Sequence, residues 1–184
     1  MWGRRATKLV ALTLATALPL IVYITIRVPT APQPIKALRN NFAGEQVVIS
    51  NETGECQLCV LLAETRAQRE LGLKNVQNLD GFDGMLFVYA TETTQPFWMR
   101  DTLIPLVITF FDTEGTMVSS TTMQPCQRTV SDNACTRYVA EGAYQLALET
   151  VVGAPTKNGL TNHAQIRRLH LPCEPKVEPG DYRV

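Results

Sequence analysis

Residues Gly84–Asp112 read GMLFVYATETTQPFWMRDTLIPLVITFFD, and this stretch decides the fold. Met85–Tyr89 is a short apolar and aromatic run of the kind that packs on a pleated sheet, and Leu106–Asp112 is a second. Phe97-Trp98-Met99-Arg100-Asp101-Thr102 forms a turn between them, and Pro105-Leu106 leads into the second run. The expectation is two adjoining strands and their connection.

Similar runs occur outward in both directions, at Gln46–Ser50, Gln57–Ala63, Thr116–Met123, Gln145–Thr150 and Ala164–Leu171. Turn residues separate them, as in all-β domains. Asp112-Thr113-Glu114-Gly115 makes a hairpin loop with Gly where φ must be positive. Thr65–Leu71 is the strongest helix: Thr65 and Gln68 form a capping-box pair, and Gly72 stops it. A second helical turn is expected from Val151 to Gly159. The fold predicted is mainly β, a compact antiparallel barrel-like or jelly-roll-like sandwich with one or two short helices.

The first 27 residues differ from the rest. Residues 1–8 are basic, and Leu9–Ile26 is an uncharged, mostly apolar run of 18 residues closed by Arg27. That length spans a bilayer core as a helix. A signal peptide cut after Ala15-Thr16-Ala17 would have a very short apolar core and leave Leu18–Ile26 on the mature chain. Arg4-Arg5 also faintly resembles a twin-arginine signal. We read residues 9–27 as an anchor in the cytoplasmic membrane; cleavage would make the domain secreted. Residues 28–43, with Pro29, Pro32 and Pro34, form a semi-rigid linker. A β domain of residues 44–177 and a tail of residues 178–184 complete the chain.

Arg4, Arg5, Lys8 and Arg27 are the only charges of the first 27 residues, so the remainder holds 13 of the 17 basic side chains against all 17 acidic ones. No basic stripe marks a nucleic-acid surface. Cys56, Cys59, Cys126, Cys135 and Cys173 all follow the apolar segment. Such density suits an oxidising compartment, which places the domain on the extracytoplasmic side.

Gly84-Met85-Leu86-Phe87, Phe97-Trp98-Met99, Thr102, Pro105-Leu106 and Leu148-Glu149 with Gly153 together resemble the bacterial and archaeal "domain of unknown function 192" family. Ala63, Thr65, Arg69 and Gly72-Leu73 fit the same pattern upstream. The resemblance implies a compact, mainly antiparallel β fold, barrel-like or jelly-roll-like with one or two short helices, and no established chemistry. The chain departs from the pattern at Lys74 and Val76, where relatives place Met and Arg, at Asp101 in place of Asn, and at Val107 in place of Asp. Relatives also carry a pair resembling Cys126 and Cys135.

Trp98, Arg100 and Asp101 offer a stacking face, a cation and a carboxylate for ligand binding. Met85 and Arg69 join them as binding candidates, and so does Glu149. An inward Glu149 should have a raised pKa unless Arg69 or Arg100 pairs with it. It is then the single candidate general base. A Cys126–Cys135 bridge would staple a loop, and Cys56 or Cys59 with Cys173 would tie the tail to the first hairpin. Cys56-Gln57-Leu58-Cys59 opens a strand, not a helix, which argues against a redox motif. His163 and His170 lack the partners of a metal triad, and no nucleophile elbow or cofactor fingerprint is present, so no metal or cofactor is expected. The function expected is a non-catalytic binding module for a small molecule, an envelope glycan or a partner protein. The alternatives are a hydrolase or lyase using Glu149 with Arg100 or Asp101, and a structural envelope protein.

Overall fold

The computed structural model describes residues 40–126, 131–154 and 163–176. The apolar segment 9–27, most of the linker, most of the Val151–Gly159 turn and the tail lie outside the described residues. Among the described residues, no helix is long and apolar enough to cross a membrane.

Among the described residues seven strands form one sheet: β1 (Gly44–Asn51), β2 (Gly54–Ala63), β3 (Gly84–Thr93), β4 (Leu106–Phe111), β5 (Met117–Met123), β6 (Tyr144–Val151) and β7 (Gln165–Pro172), in the order β5-β4-β6-β3-β2-β1-β7. Helix α1 (Arg66–Leu71) follows β2, with Thr65 and Gln68 in a reciprocal capping box and Gly72 at the end with φ 48°. The hairpin at Asp112–Thr116 has Gly115 at φ 80°.

Three expectations need correction. The fold is a single sheet, not a two-layer jelly roll. β2 and β3 run parallel, because the crossover Glu64–Asp83 with α1 returns the chain to the starting end of the sheet. β3 and β4 do not adjoin, since β6 pairs with both. Four successive residues of β6, Ala147–Thr150, are buried, so neither face tolerates water and the strand needs neighbours on both sides. The more exposed β5 and β7 take the edges.

The two edges touch at one corner. Met117 N–H donates to the Ala164 carbonyl (2.9 Å), and Ile166 N–H donates to the Gly115 carbonyl (2.8 Å). No ladder follows, so the sheet curls without closing into a barrel. A Cβ on Gly115 would lie 2.2 Å from the Ile166 carbonyl oxygen.

Alternation along the strands gives the sheet two apolar faces. Val47, Ile49, Leu58, Val60, Leu86, Leu148 and Ile166 fill the inside of the curl. Leu61, Met85, Phe87, Ile108, Phe110 and Ala147 fill the opposite face, which is covered by the loop carrying Leu73 and Leu79 and by the segment carrying Phe97 and Met99. Val76 packs on this covered face, whereas Val107 alternates with Leu106 and Ile108 and belongs to the other. The sheet therefore separates the two positions where the family pattern has Arg and Asp.

Val107 lies opposite Thr150. The Thr150 hydroxyl is buried and has no hydrogen-bond partner among the described residues. Thr150→Val keeps the shape and removes the stranded hydroxyl, so it is expected to raise stability by about 1 kcal/mol, read as a later urea midpoint.

Candidate functional site

A cleft of about 490 Å³ opens on the covered face between α1 with the loop after it, β3 and the segment Gln95–Thr102. Glu149, on β6, is one of its lining residues. Its cross-strand neighbours are Met85 on β3 and Ile108 on β4, both fully buried. The carboxyl thus sits within an apolar sheet face. Glu149 is 5% exposed, and among the described residues nothing hydrogen-bonds or ion-pairs with its side chain. Burial alone pushes its pKa up to about 8. At neutral pH it is mostly the protonated acid, able to donate one hydrogen bond.

The expected cation does not reach it. Arg69 instead turns along α1 toward the backbone: Nη1 donates to the carbonyls of Glu64 and Val88, the latter at 2.9 Å, and the guanidinium stacks 4.6 Å over the Tyr89 ring. Arg100 Nη1 lies 3.0 Å from Asp132 and Nε 3.9 Å from Asp101. Asp132 belongs to a short 3₁₀ turn, Asp132–Ala134, inside the loop that Cys126 and Cys135 close. Arg69 and Lys74 make no ion pair with a carboxylate among the described residues, whereas Arg66 is paired with Glu70 at 2.7 Å.

Trp98 is half-buried on the cleft wall, with the Arg137 guanidinium 4.0 Å from its ring centre. Phe97 packs edge-on to Phe87 (5.0 Å) and Phe110 (5.8 Å), which anchors the segment carrying Trp98. Tyr144 Oη donates to the Gln95 carbonyl at 2.6 Å and fixes the same segment from the other end.

Of the binding candidates, Arg69, Trp98, Arg100 and Glu149 therefore line one cleft. Met85 does not; it is fully buried core. Asp101 does not either: it occupies a turn at φ 60°, and its carbonyl accepts from Asn75 N–H at 2.8 Å. Sequence reasoning missed Arg66, Glu70, Lys74, Tyr89 and Gln95. Tyr89 was within reach, because it shares strand parity with Met85 and Phe87. Cys59 is bonded to Cys173 and Cys126 to Cys135, leaving Cys56 as the free thiol. His163 lies in the turn before β7, and among the described residues no group of acids, histidines and cysteines is placed to hold a metal.

An open, curled β sheet with a basic and aromatic cleft over one buried acid is the class that fold and site define. The chain belongs to the DUF192 family, described as "Uncharacterized ACR", whose model matches residues 48–168. No functionally curated protein matches it significantly. Solved structures share the fold, two of them as follows. A candidate transcription regulator from Sinorhizobium meliloti is 24% identical with a TM-score of 0.60, over 71% of this chain and 97% of that one. A protein of unknown function from Novosphingobium aromaticivorans is 23% identical with a TM-score of 0.61, over 77% and 94%. At these identities the likeness speaks to fold alone.

Proposed function

We propose that this domain is a non-catalytic binding module that takes a small molecule in the cleft over Glu149. The observation that carries the reading is a buried carboxyl, with no hydrogen-bond or ion-pair partner among the described residues, facing a cavity of ligand size. Such a group costs stability, and a bound ligand that accepts its proton in a hydrogen bond offsets that cost. Trp98 supplies a stacking face. Binding without turnover is favoured because, of the lining groups that could act with Glu149, Glu70 is held by Arg66 and the Tyr89 ring is covered by Arg69. A hydrolase or lyase keeps one supporting observation, a carboxyl whose pKa of about 8 suits general acid–base work.

The domain's place is part of the proposal. The apolar segment 9–27 would hold it at the cytoplasmic membrane, and two disulfides suit the extracytoplasmic side.

A thermal-shift screen of metabolites and glycan fragments tests the binding reading. At least one compound should raise the melting temperature, and Trp98→Ala should weaken it about tenfold through lost stacking. A screen in which nothing stabilises the protein would sink the small-molecule reading. Conversion of the bound compound, abolished by Glu149→Gln, would establish the enzyme instead.

A further inference from the structure

We infer that the occupant of the cleft is a small organic carboxylate, held at its head by a hydrogen bond from the Glu149 acid and along its body by the aromatic wall. This deepens the binding reading and rests on it.

The balance of charge points to an anion. Arg66, Arg69, Lys74 and Arg100 line the cleft, against the acids Glu70 and Glu149. Glu70 is taken up by Arg66, and Arg100 shares Asp132. Among the described residues Arg69 donates to two carbonyl oxygens, and Glu70, which also feels Arg66 and Lys74, offsets only part of its charge. Lys74 lies close enough to Glu70 to help Arg66 hold its pKa down, but among the described residues it forms no direct ion pair. An uncharged Glu149 adds nothing negative at the floor. As an acid it donates to an anion; as a carboxylate it would repel one.

The shape of the donors points to a carboxylate rather than a phosphate. Phosphate sites use several backbone N–H groups, as at a helix N-terminus. Here the floor offers a single O–H between apolar neighbours, which suits a planar head of one charge. Trp98, Tyr89 and Phe87 leave the remaining contact to an apolar or aromatic body.

Ionisation of Glu149 should release such a ligand. The other titratable or charged groups lining the cleft are Arg66, Arg69, Glu70 and Lys74 from α1 and its following loop, Tyr89 from β3, and Arg100 from the segment Gln95–Thr102. The β4 neighbour of Glu149, Ile108, carries no charge.

Calorimetric titration of the full chain with benzoate, benzamide and inorganic phosphate tests this. At about pH 6.5 benzoate should bind at least about tenfold more tightly than benzamide or phosphate. At about pH 9 the wild type should lose about tenfold in benzoate affinity, whereas Glu149→Gln, whose amide N–H donates at either pH, should hold a constant affinity. Lys74→Gln, at the partly exposed rim, should weaken benzoate several-fold and leave benzamide unchanged, a result independent of how Glu149→Gln folds. Benzamide binding as well as benzoate, with both weakened by Trp98→Ala, would overturn the carboxylate and leave the binding cleft standing. Equal binding of phosphate would likewise overturn the carboxylate. Silence from all three probes, and from the wider screen, would overturn both.

Discussion

Glu149→Gln is expected to shift the stability of this protein relative to wild type by about 4 kcal/mol between about pH 4 and about pH 9, in favour of the variant at the alkaline end. The sign follows from where the proton sits. In the unfolded chain Glu149 ionises near its ordinary 4.5, whereas in the folded chain it holds its proton to about 8. Between those values the folded state binds one more proton, so stability is full at the acid end and falls by about 1.4 kcal/mol per pH unit as the unfolded state ionises. Above the folded value the loss levels off. Gln has no proton to lose. Urea unfolding of both proteins across that range measures the difference and cancels groups common to both, such as the Glu45–Arg168 pair. Parallel stability curves would mean that water or a cation reaches the Glu149 carboxyl.

Removing the Cys59–Cys173 bridge, by Cys59→Ala with Cys173→Ala, should cost about 4–5 kcal/mol, against about 2–3 kcal/mol for Cys126–Cys135, because chain entropy rises with the loop closed. The sequence separations are 114 and 9 residues. The long bridge also closes a seam. Around it Cys173 N–H donates to the Gly44 carbonyl, Lys176 N–H to the Gly81 carbonyl, and Lys176 Nζ contacts Asp83 at 2.8 Å. Asp83 in turn accepts from Cys59 N–H at 2.8 Å. The double variant is preferred to a single one, since losing Cys173 alone leaves Cys56 and Cys59 as two nearby thiols. Urea midpoints of the two double variants, compared under oxidising conditions, give the ranking. An equal loss from both bridges would show that the unfolded chain retains structure across the long loop.

Local patterns were legible where local chemistry sets the structure. The Thr65–Gln68 box needs only four residues and their hydrogen bonds, and the Asp112–Gly115 turn needs only a glycine at one φ. The strands lie where β-branched and apolar runs predicted them. Strand order was not legible, because the insertion of β6 between β3 and β4 joins segments far apart along the chain. The signal was present in Leu-Ala-Leu-Glu-Thr, a run too continuous for an edge. Glu149, Trp98, Arg69 and Arg100 were found because their chemistry is unusual in context. Asp101 misled because the course of Phe97–Thr102 is set by backbone pairings with Tyr138, Cys126 and Lys74, which no local pattern predicts. Those pairings turn Asp101 away while keeping Trp98 and Arg100 on the cleft wall.

The pinned corner between Gly115–Met117 and Ala164–Ile166 bears on what the edges of the sheet offer to another chain. An open sheet has two edges of unpaired N–H and C=O groups, each a template for another chain. Here each edge spends its first hydrogen bonds on the other, so an incoming strand would meet a ladder that is already interrupted. The guard depends on one missing methyl, since a Cβ at Gly115 would collide with the Ile166 carbonyl. A substitution there would leave the cleft chemistry untouched and release both edges at once, so its first symptom should be self-association rather than lost binding.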